Sequence, residues 1–213
     1  MSGTGYLKPM DTRRRLVAAL LAVLAAGGHA AVPALKDGDL IFQTSRSAQS
    51  LAIQRATGSR FSHMGIVFLR SGQPYVLEAV ATVRYTALDR WIARGEGRHY
   101  VVKRLKDAPA VLTAANLARL RTAAHRLEGR PYDLTFEWTD DRIYCSELVW
   151  KIYERALGIH LGELQRIRDF DLSDPQVQAK LRERYGTRIP LDEPVISPQA
   201  MFESPRLVTV AQK

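Results

Sequence analysis

The sequence contains a single cysteine, Cys145, in a chain of 213 residues. One cysteine cannot form an internal disulfide, and it excludes a zinc site built from several thiolates. The sequence also lacks internal repeats, low-complexity tracts and any zinc-finger, helix-turn-helix or RNA-binding signature, so nothing predicts nucleic-acid binding. What is present is an ordinary globular composition, 46% hydrophobic and 25% charged, at a length that suits one domain.

The long apolar run near the N-terminus, residues 16–26, is shorter than the about 20 residues that cross a bilayer. It follows three arginines at 13–15 and precedes the small-residue segment Gly28-His29-Ala30. This order is typical of a secretory signal peptide over residues 1–30. We therefore expect cleavage after Ala30, a mature domain over residues 31–213, and a periplasmic or secreted location. The alternative is an N-terminal core helix or an uncleaved anchor.

The chain is basic, with a formal net charge of +9. The predicted signal peptide carries three net positive charges, so the mature domain would keep +6. Its basic residues are scattered at helical spacings, which is typical of solvated surfaces. Outside the cytoplasm, such a charge favours peripheral contact with anionic lipid or cell-wall polymer over contact with nucleic acid.

The mature sequence alternates short strand and helix patterns without a linker between domains. Its pattern predicts an α+β fold, with an antiparallel sheet packed against helices. One hairpin is centred on Ser71-Gly72. The predicted strands are 39–45, 63–69, 75–80, 83–86 and 100–105. The predicted helices are one capped by Ser47 and running to Thr57, with Ala48, Leu51, Ala52 and Ala56 on one face, then 88–93, 113–128, 145–157, 175–185 and a short one from Pro198.

Cys145 lies where a polar loop turns into an amphipathic helix ended by Gly158. A thiol in the first turn of a helix faces unpaired amide groups and the positive end of the macrodipole. That environment lowers the pKa of a cysteine and favours the nucleophilic thiolate. The alternative is a buried cysteine that serves as a small apolar residue. Position alone does not choose between the two.

A thiolate needs an imidazole partner, and four histidines follow the predicted signal peptide. His125 lies off the apolar stripe of its helix, His160 follows a helix stop, and His99 has no acidic neighbour to orient it. His63 begins an apolar strand of the predicted hairpin, next to the small Gly65. It is the best candidate for a general base.

The hairpin also supplies a candidate partner for His63. If Ser71-Gly72 is the centre of the turn, Glu78 lies opposite Gly65 and diagonal to His63 on the same face of the sheet. Diagonal neighbours are about 7–8 Å apart, within reach of a glutamate side chain. A carboxylate there would orient the imidazole. A turn one residue longer or shorter would move Glu78 to the other face and leave it an exposed strand charge.

Three segments in this order resemble one family: residues 35–50 (LKDGDLIFQTSRSAQS), 61–67 (FSHMGIV) and 144–150 (YCSELVW). They are similar to the permuted papain-like amidases of the YiiX/YaeF type, which are related to NlpC-type peptidases and to lecithin retinol acyltransferase. The closing segment 197–207 also resembles that family. The resemblance implies a circularly permuted papain-like fold in which the histidine precedes the cysteine.

The resemblance further implies that Cys145 is the nucleophile, His63 the base and Glu78 the third polar residue. The segment Gly129-Arg-Pro-Tyr132 is similar to one that precedes the nucleophile of NlpC-type enzymes, so Tyr132 would donate a hydrogen bond to the oxyanion. Otherwise Tyr132 is a turn residue packed on the core. Tyr144 and Glu147 replace the aspartate and glycine of the non-permuted motif, so the cell-wall substrate does not follow.

These observations predict an exported cysteine hydrolase that cleaves an amide bond through a thioester, with a cell-wall peptide or peptide-like substrate. Neither a metal nor an organic cofactor is required. One alternative keeps Cys145 and His63 but acts on a lipid acyl group, by hydrolysis or acyl transfer. Another is a non-catalytic envelope protein that retains the pocket for binding. The partner is in each case a small-molecule, peptide or lipid ligand.

Overall fold

A computed structural model of the chain describes residues 34–47 and 49–213, together with Met1. The predicted apolar run and cleavage site of the signal peptide lie outside these residues. Among the helices of the described part, none is long and apolar enough to cross a membrane.

Six antiparallel strands form the central sheet, in the order β4-β3-β2-β1-β5-β8. This confirms the predicted α+β class with an antiparallel sheet. The strands of this sheet are β1 (Leu40–Gln43), β2 (His63–Arg70), β3 (Gln73–Ala79), β4 (Val83–Ala87), β5 (Val101–Leu105) and β8 (Leu207–Gln212). A separate two-stranded ribbon joins β6 (Gln165–Arg166) to β7 (Pro194–Val195).

Seven α-helices surround the sheet in the described residues: α1 (Ser50–Thr57), α2 (Leu88–Ala93), α3 (Ala108–Val111), α4 (Ala114–Leu127), α5 (Cys145–Leu157), α6 (Pro175–Tyr185) and α7 (Pro198–Phe202). The larger core cluster contains Ile66 and Phe68 of β2 together with Leu148 and Ile152 of α5. Trp91 of α2 belongs to a smaller cluster with alternate sheet residues such as Val67. Burial on both faces explains why β1 and β2 read as nearly continuous apolar runs.

The predicted hairpin register is correct. Arg70 pairs with Gln73 across the turn, and Ile66 pairs with Leu77 further along. Both turn residues have positive φ, 49° at Ser71 and 75° at Gly72, as a two-residue type I′ turn requires.

Several predicted elements begin or end elsewhere, among them the first helix, the first strand, and β3, which covers Gln73–Ala79 where 75–80 is predicted. The first helix starts at Ser50 with Gln49 as its N-cap, not at Ser47, and Leu51 is exposed. The Ser47 hydroxyl instead lies against that of Ser45, at 3.0 Å. The first strand covers Leu40–Gln43, shorter than the predicted 39–45, because the backbone of Ser45 bonds the Ser62 hydroxyl.

The strand β8 was not predicted. Its burial does not alternate regularly, because it pairs with β5 across a register shift at Val102 and Lys103. A β-bulge of this kind breaks the period of two by which a strand is identified in a sequence.

Candidate active site

Cys145 is the first residue of α5, as the sequence predicted, and its side chain is buried. Tyr144 and Glu147, which replace the aspartate and glycine of the non-permuted motif, stabilise the start of this helix. The backbone N–H of Tyr144 donates to Glu147 Oε2 at 3.3 Å, and the Tyr144 hydroxyl accepts from the N–H of Ile196 at 3.0 Å. Burial of Glu147 raises its pKa to about 7, although Lys151 Nζ lies 2.7 Å away and opposes the shift. Tyr144 and Glu147 thus position the turn that carries the thiol.

His63 and Glu78 form a buried pair across the hairpin. The Nε2 atom of His63 lies 2.7 Å from Glu78 Oε2, and Glu78 is fully buried. This contact leaves Nδ1 of the ring for the Cys145 sulfur. Burial lowers the pKa of His63, but hydrogen bonds to Cys145 and Glu78 outweigh it and raise the value to about 9. The arrangement favours an imidazolium beside the sulfur.

Gly65 lets β2 and β3 approach closely at the point where His63 and Glu78 meet. A Cβ atom at Gly65 would lie 2.5 Å from the carbonyl oxygen of Leu77 and 2.5 Å from a methyl of Val76. Because real Cβ contacts are never so short, only glycine permits this approach of β2 to β3. The close approach sets the short diagonal between the imidazole and the carboxylate.

Three further residues support the pair. The Thr86 hydroxyl donates to Glu78 Oε1 at 2.6 Å, and the guanidinium of Arg94 also donates to that atom. Burial raises the pKa of Glu78, but the hydrogen bonds from His63 and Thr86 and the charges of His63 and Arg94 lower it below its ordinary value. Trp91 stacks against the imidazole, with ring centroids 5.9 Å apart. The carboxylate is therefore held ionised beside Nε2 of His63.

Tyr132 lies beside the thiol. Backbone hydrogen bonds fix its segment on both sides. The Tyr132 N–H donates to Ala81 O at 3.0 Å, and the Ile143 N–H donates to Pro131 O at 3.0 Å. The Tyr132 hydroxyl accepts from Gln49 Nε2 at 3.3 Å, so its own proton is free to donate. Burial and the nearby Cys145 sulfur raise the pKa of Tyr132, which keeps the hydroxyl protonated.

A buried hydroxyl network holds Gln49 in place. The hydroxyls of Ser50 and Ser62 lie 2.6 Å apart, and Ser62 also accepts from the N–H of Ser45 at 2.9 Å. Ser62 directly precedes His63, so one network fixes both the start of α1 and the start of β2. Gln49 and His63 are thereby positioned together.

Two cavities meet at this site. One, of about 120 Å³, contains Cys145 in its wall and has an almost wholly apolar surface. The other is an open groove of about 850 Å³, and His63 lies in its wall. Gln49 and Tyr132 line both cavities. The cysteine and histidine therefore lie where an apolar cavity meets a wider groove with a mixed polar and apolar lining.

The described residues contain no group of three or more His, Cys, Asp or Glu side chains that could hold a metal ion. The prediction that the protein needs no cofactor remains a prediction.

Residues 34–211 match the family described as "Permuted papain-like amidase enzyme, YaeF/YiiX, C92 family". The chain belongs to this family. It is 54% identical, over 176 residues, to the uncharacterized protein YiiX of Escherichia coli (strain K12), covering 83% of this chain and 86% of that protein. The structure superimposes on the crystal structure of metalloprotein yiiX from Escherichia coli O157:H7 with a TM-score of 0.80. That match has 53% identity and covers 84% of this chain and 97% of the other.

The structure brings all four predicted site residues of this permuted papain-like amidase, Cys145, His63, Glu78 and Tyr132, to one location. Their catalytic roles remain predictions. Sequence reasoning missed Gln49, although it lies in a segment that resembles the family. The sequence pattern predicts a helix capped by Ser47, which makes Gln49 an ordinary helical residue and not the N-cap. Sequence reasoning also missed Arg94, because no recognisable motif surrounds it.

Proposed function

We propose that the protein is an exported cysteine hydrolase that cleaves an amide bond through a thioester on Cys145. The observation that carries the proposal is the buried chain of contacts from Cys145 through His63 to Glu78. A nucleophile, a base and an orienting group in that order form the arrangement of a catalytic triad, which is recognised by geometry whatever the order in sequence. The order in this chain, histidine before cysteine, supports a permuted relation to NlpC-type enzymes.

In the first half of the reaction, the Cys145 thiolate attacks the amide carbonyl carbon. The tetrahedral oxyanion accepts hydrogen bonds from the Cys145 backbone N–H and the Tyr132 hydroxyl, and Gln49 orients that hydroxyl. His63 gives its proton to the nitrogen as the C–N bond breaks, and the amine leaves. Cys145 is then an acyl thioester.

In the second half, His63 removes a proton from water, and the water oxygen attacks the thioester carbonyl. The C–S bond breaks, the carboxylic acid leaves, and the thiolate–imidazolium pair is restored. Throughout, Glu78 keeps Nε2 protonated so that Nδ1 performs the proton transfers.

Trapping the thioester tests the proposal directly. The protein is mixed with p-nitrophenyl acetate, quenched in acid and digested, and the peptide that contains Cys145 is weighed. We expect an acetyl group on Cys145 in the wild type and in His125→Ala, whose imidazole is exposed. We expect none in Cys145→Ala and a much slower release of p-nitrophenolate in His63→Ala. Equal acetylation rates in wild type and His63→Ala would overturn the pairing.

Two alternatives use the same pocket. A lipid acyl hydrolase or acyltransferase is favoured by one observation, the apolar wall beside Cys145. If the protein is instead a non-catalytic envelope protein, Cys145 should react with iodoacetamide at mildly acidic pH no faster than a free model thiol does. Export is tested separately, since the mature protein isolated from cells should have the mass of a chain that begins at Ala31.

A further inference from the structure

In the proposed reaction, the leaving part of the substrate lies in the open groove on the His63 side of the site. His63 gives its proton to the nitrogen as the C–N bond breaks, and His63 is in the wall of this groove. The acyl carbon becomes bonded to Cys145, which lines the other cavity. Side chains along the groove therefore contact the amine part of the substrate. This assignment rests on the proposed function.

Three arginines line this groove, and only one of them has an acidic partner among the described residues. The guanidinium of Arg94 donates to the buried carboxylate of Glu78. Arg46 and Arg142 are exposed, and neither forms an ion pair with any described residue. No aspartate or glutamate lines the groove within the described part of the chain. The groove therefore contains two positive charges that are available to a ligand.

The basic composition of the chain does not by itself explain this lining. Another open cavity, of about 520 Å³, is lined by three carboxylates and one guanidinium, those of Glu163, Asp169, Glu203 and Arg206. That cavity is mainly acidic although the whole chain has a formal net charge of +9. The absence of acidic side chains from the lining described above is thus a local property of the groove beside His63.

The backbone fixes the positions from which Arg46 and Arg142 extend. Arg46 follows Ser45, whose N–H donates to the buried hydroxyl of Ser62 at 2.9 Å. Arg142 precedes Ile143, which is fully buried and whose N–H forms a backbone hydrogen bond of 3.0 Å. Each arginine thus combines a fixed main chain with an unpaired guanidinium. Because the main chain is already ordered, less conformational entropy is lost when an anion binds.

The acidic residue two positions before Arg142 is paired with other cations. Asp140 accepts from Lys151 Nζ at 3.0 Å, and its two carboxylate oxygens accept from Arg155 at 2.7 and 2.8 Å. Both cations belong to α5. The charge of Asp140 is therefore balanced by α5, which leaves Arg142 available to an anion from outside the chain.

We propose that the amine part of the substrate carries an oxyanion, a carboxylate or a phosphate, that binds Arg46 and Arg142. A guanidinium binds either group through two parallel N–H···O hydrogen bonds, and it stays charged over the whole working pH range of proteins. A leaving amine with a carboxylate is an amino acid, and one with a phosphate is an aminoalkyl phosphate. Hydrolysis breaks the C–N bond and adds the elements of water, and the oxyanion leaves unchanged with the amine.

Aryl acetates that differ only in their leaving group test the groove on the intact protein. The leaving phenol carries a carboxylate in para-acetoxybenzoate, a phosphonate in para-acetoxyphenylphosphonate, and no charge in para-acetoxybenzamide. The rate of Cys145 acetylation by each ester is divided by its rate with free N-acetylcysteine, which removes differences in intrinsic reactivity. We expect the better anionic ester to exceed the benzamide about tenfold, the product of two exposed charge pairs. The faster anion identifies the oxyanion, and equal normalised rates for all three would overturn the proposal.

Matched variants show whether the preference comes from these two arginines. Arg46→Ala and Arg142→Ala should each lower the anion-to-benzamide ratio about threefold, and Arg46→Lys, which keeps the charge, should retain most of it. Arg119→Ala, exposed on α4 and outside the groove, should leave the ratio unchanged. Because each variant is scored by a ratio of two substrates, a loss of folded protein does not alter the result. Wild-type ratios in both alanine variants would overturn the assignment.

The failure of this inference differs from the failure of the proposed function. If all three esters acetylate Cys145 at equal normalised rates, the thiol hydrolase stands and the oxyanion site falls. If neither these esters nor p-nitrophenyl acetate acetylates Cys145, the proposed function itself falls, and with it the oxyanion site.

Discussion

The Nε2 atom of His63 lies 2.7 Å from Oε2 of Glu78, although 15 positions separate the two residues in the sequence. The contact depends on the two-residue turn at Ser71-Gly72, because one inserted residue would turn Glu78 to the opposite face. It depends also on Gly65, which lets the two strands approach. One hairpin therefore delivers both the imidazole and its carboxylate.

Replacing Glu78 by glutamine tests its role as the orienting group. The amide cannot stabilise the imidazolium by charge, and its NH₂ group can face Nε2 and favour the wrong tautomer. We expect kcat to fall, but by less than the 10²–10⁴-fold expected for His63→Ala. Steady-state kinetics over one substrate series measures both. Wild-type activity in Glu78→Gln would remove the carboxylate from the mechanism.

Arg94→Ala should change the pH profile more than the maximal rate. The positive charge of Arg94 helps to lower the pKa of Glu78, so its loss raises that pKa. The carboxylate then becomes protonated at a higher pH, and the acidic limb of log(kcat/KM) moves upward. Arg90→Ala, exposed on the same helix, is the control and should leave the limb in place. Identical limbs in Arg94→Ala and wild type would contradict this role.

The cysteine helix and the hairpin could be predicted because their signals are local. The amphipathic run after Tyr144 starts a helix at Cys145, and the Ser71-Gly72 turn fixes which residues face each other. Glu78 was found by counting across that turn. These signals come from residues that are close together in the sequence, so they can be recognised without the tertiary structure.

Arg94 and Gln49 could not be predicted in the same way. Arg94 reaches Glu78 from the end of α2, a position set by packing of Trp91 in the smaller core cluster. Gln49 is the N-cap of α1 because Ser50 bonds Ser62, 12 residues away. Such placements depend on contacts between elements, which the sequence pattern of either element alone does not contain.

Tyr132→Phe should lower kcat while leaving KM nearly unchanged, because the hydroxyl acts on the oxyanion of the transition state. Loss of one oxyanion donor costs about 10²–10³-fold in kcat in a well-studied protease. Tyr153→Phe, whose hydroxyl donates to Gly38 O in the core, is the matched control. It should lower stability rather than turnover. A rise in KM alone for Tyr132→Phe would indicate ground-state binding instead.

His63 should make folding stability depend on pH in the alkaline range. Its pKa is raised from 6.5 to about 9, so the stabilisation is fully present below pH 6.5 and is lost as pH rises through 9. The gap in unfolding free energy between wild type and His63→Gln should shrink over that window, by roughly 3 kcal/mol at most. Urea titrations at several pH values measure it. His125→Gln, exposed on α4, should show no such change.

Glu147 should also make the fold less stable as pH rises, but over a lower pH window than His63. Burial raises its pKa from 4.5 to about 7, so its protonated form stabilises the fold below pH 4.5, and this contribution is lost as pH rises through 7. Glu147→Gln remains neutral throughout, and Lys151 keeps Asp140 Oδ1 at 3.0 Å and the Thr139 carbonyl at 2.6 Å. The stability of Glu147→Gln relative to wild type should therefore increase between pH 4.5 and 7. Glu154→Gln, on the same helix, serves as the control. If the unfolding free energies of wild type, Glu147→Gln and Glu154→Gln depend on pH in parallel, Glu147 is ionised in the native state throughout that range, and the prediction is wrong.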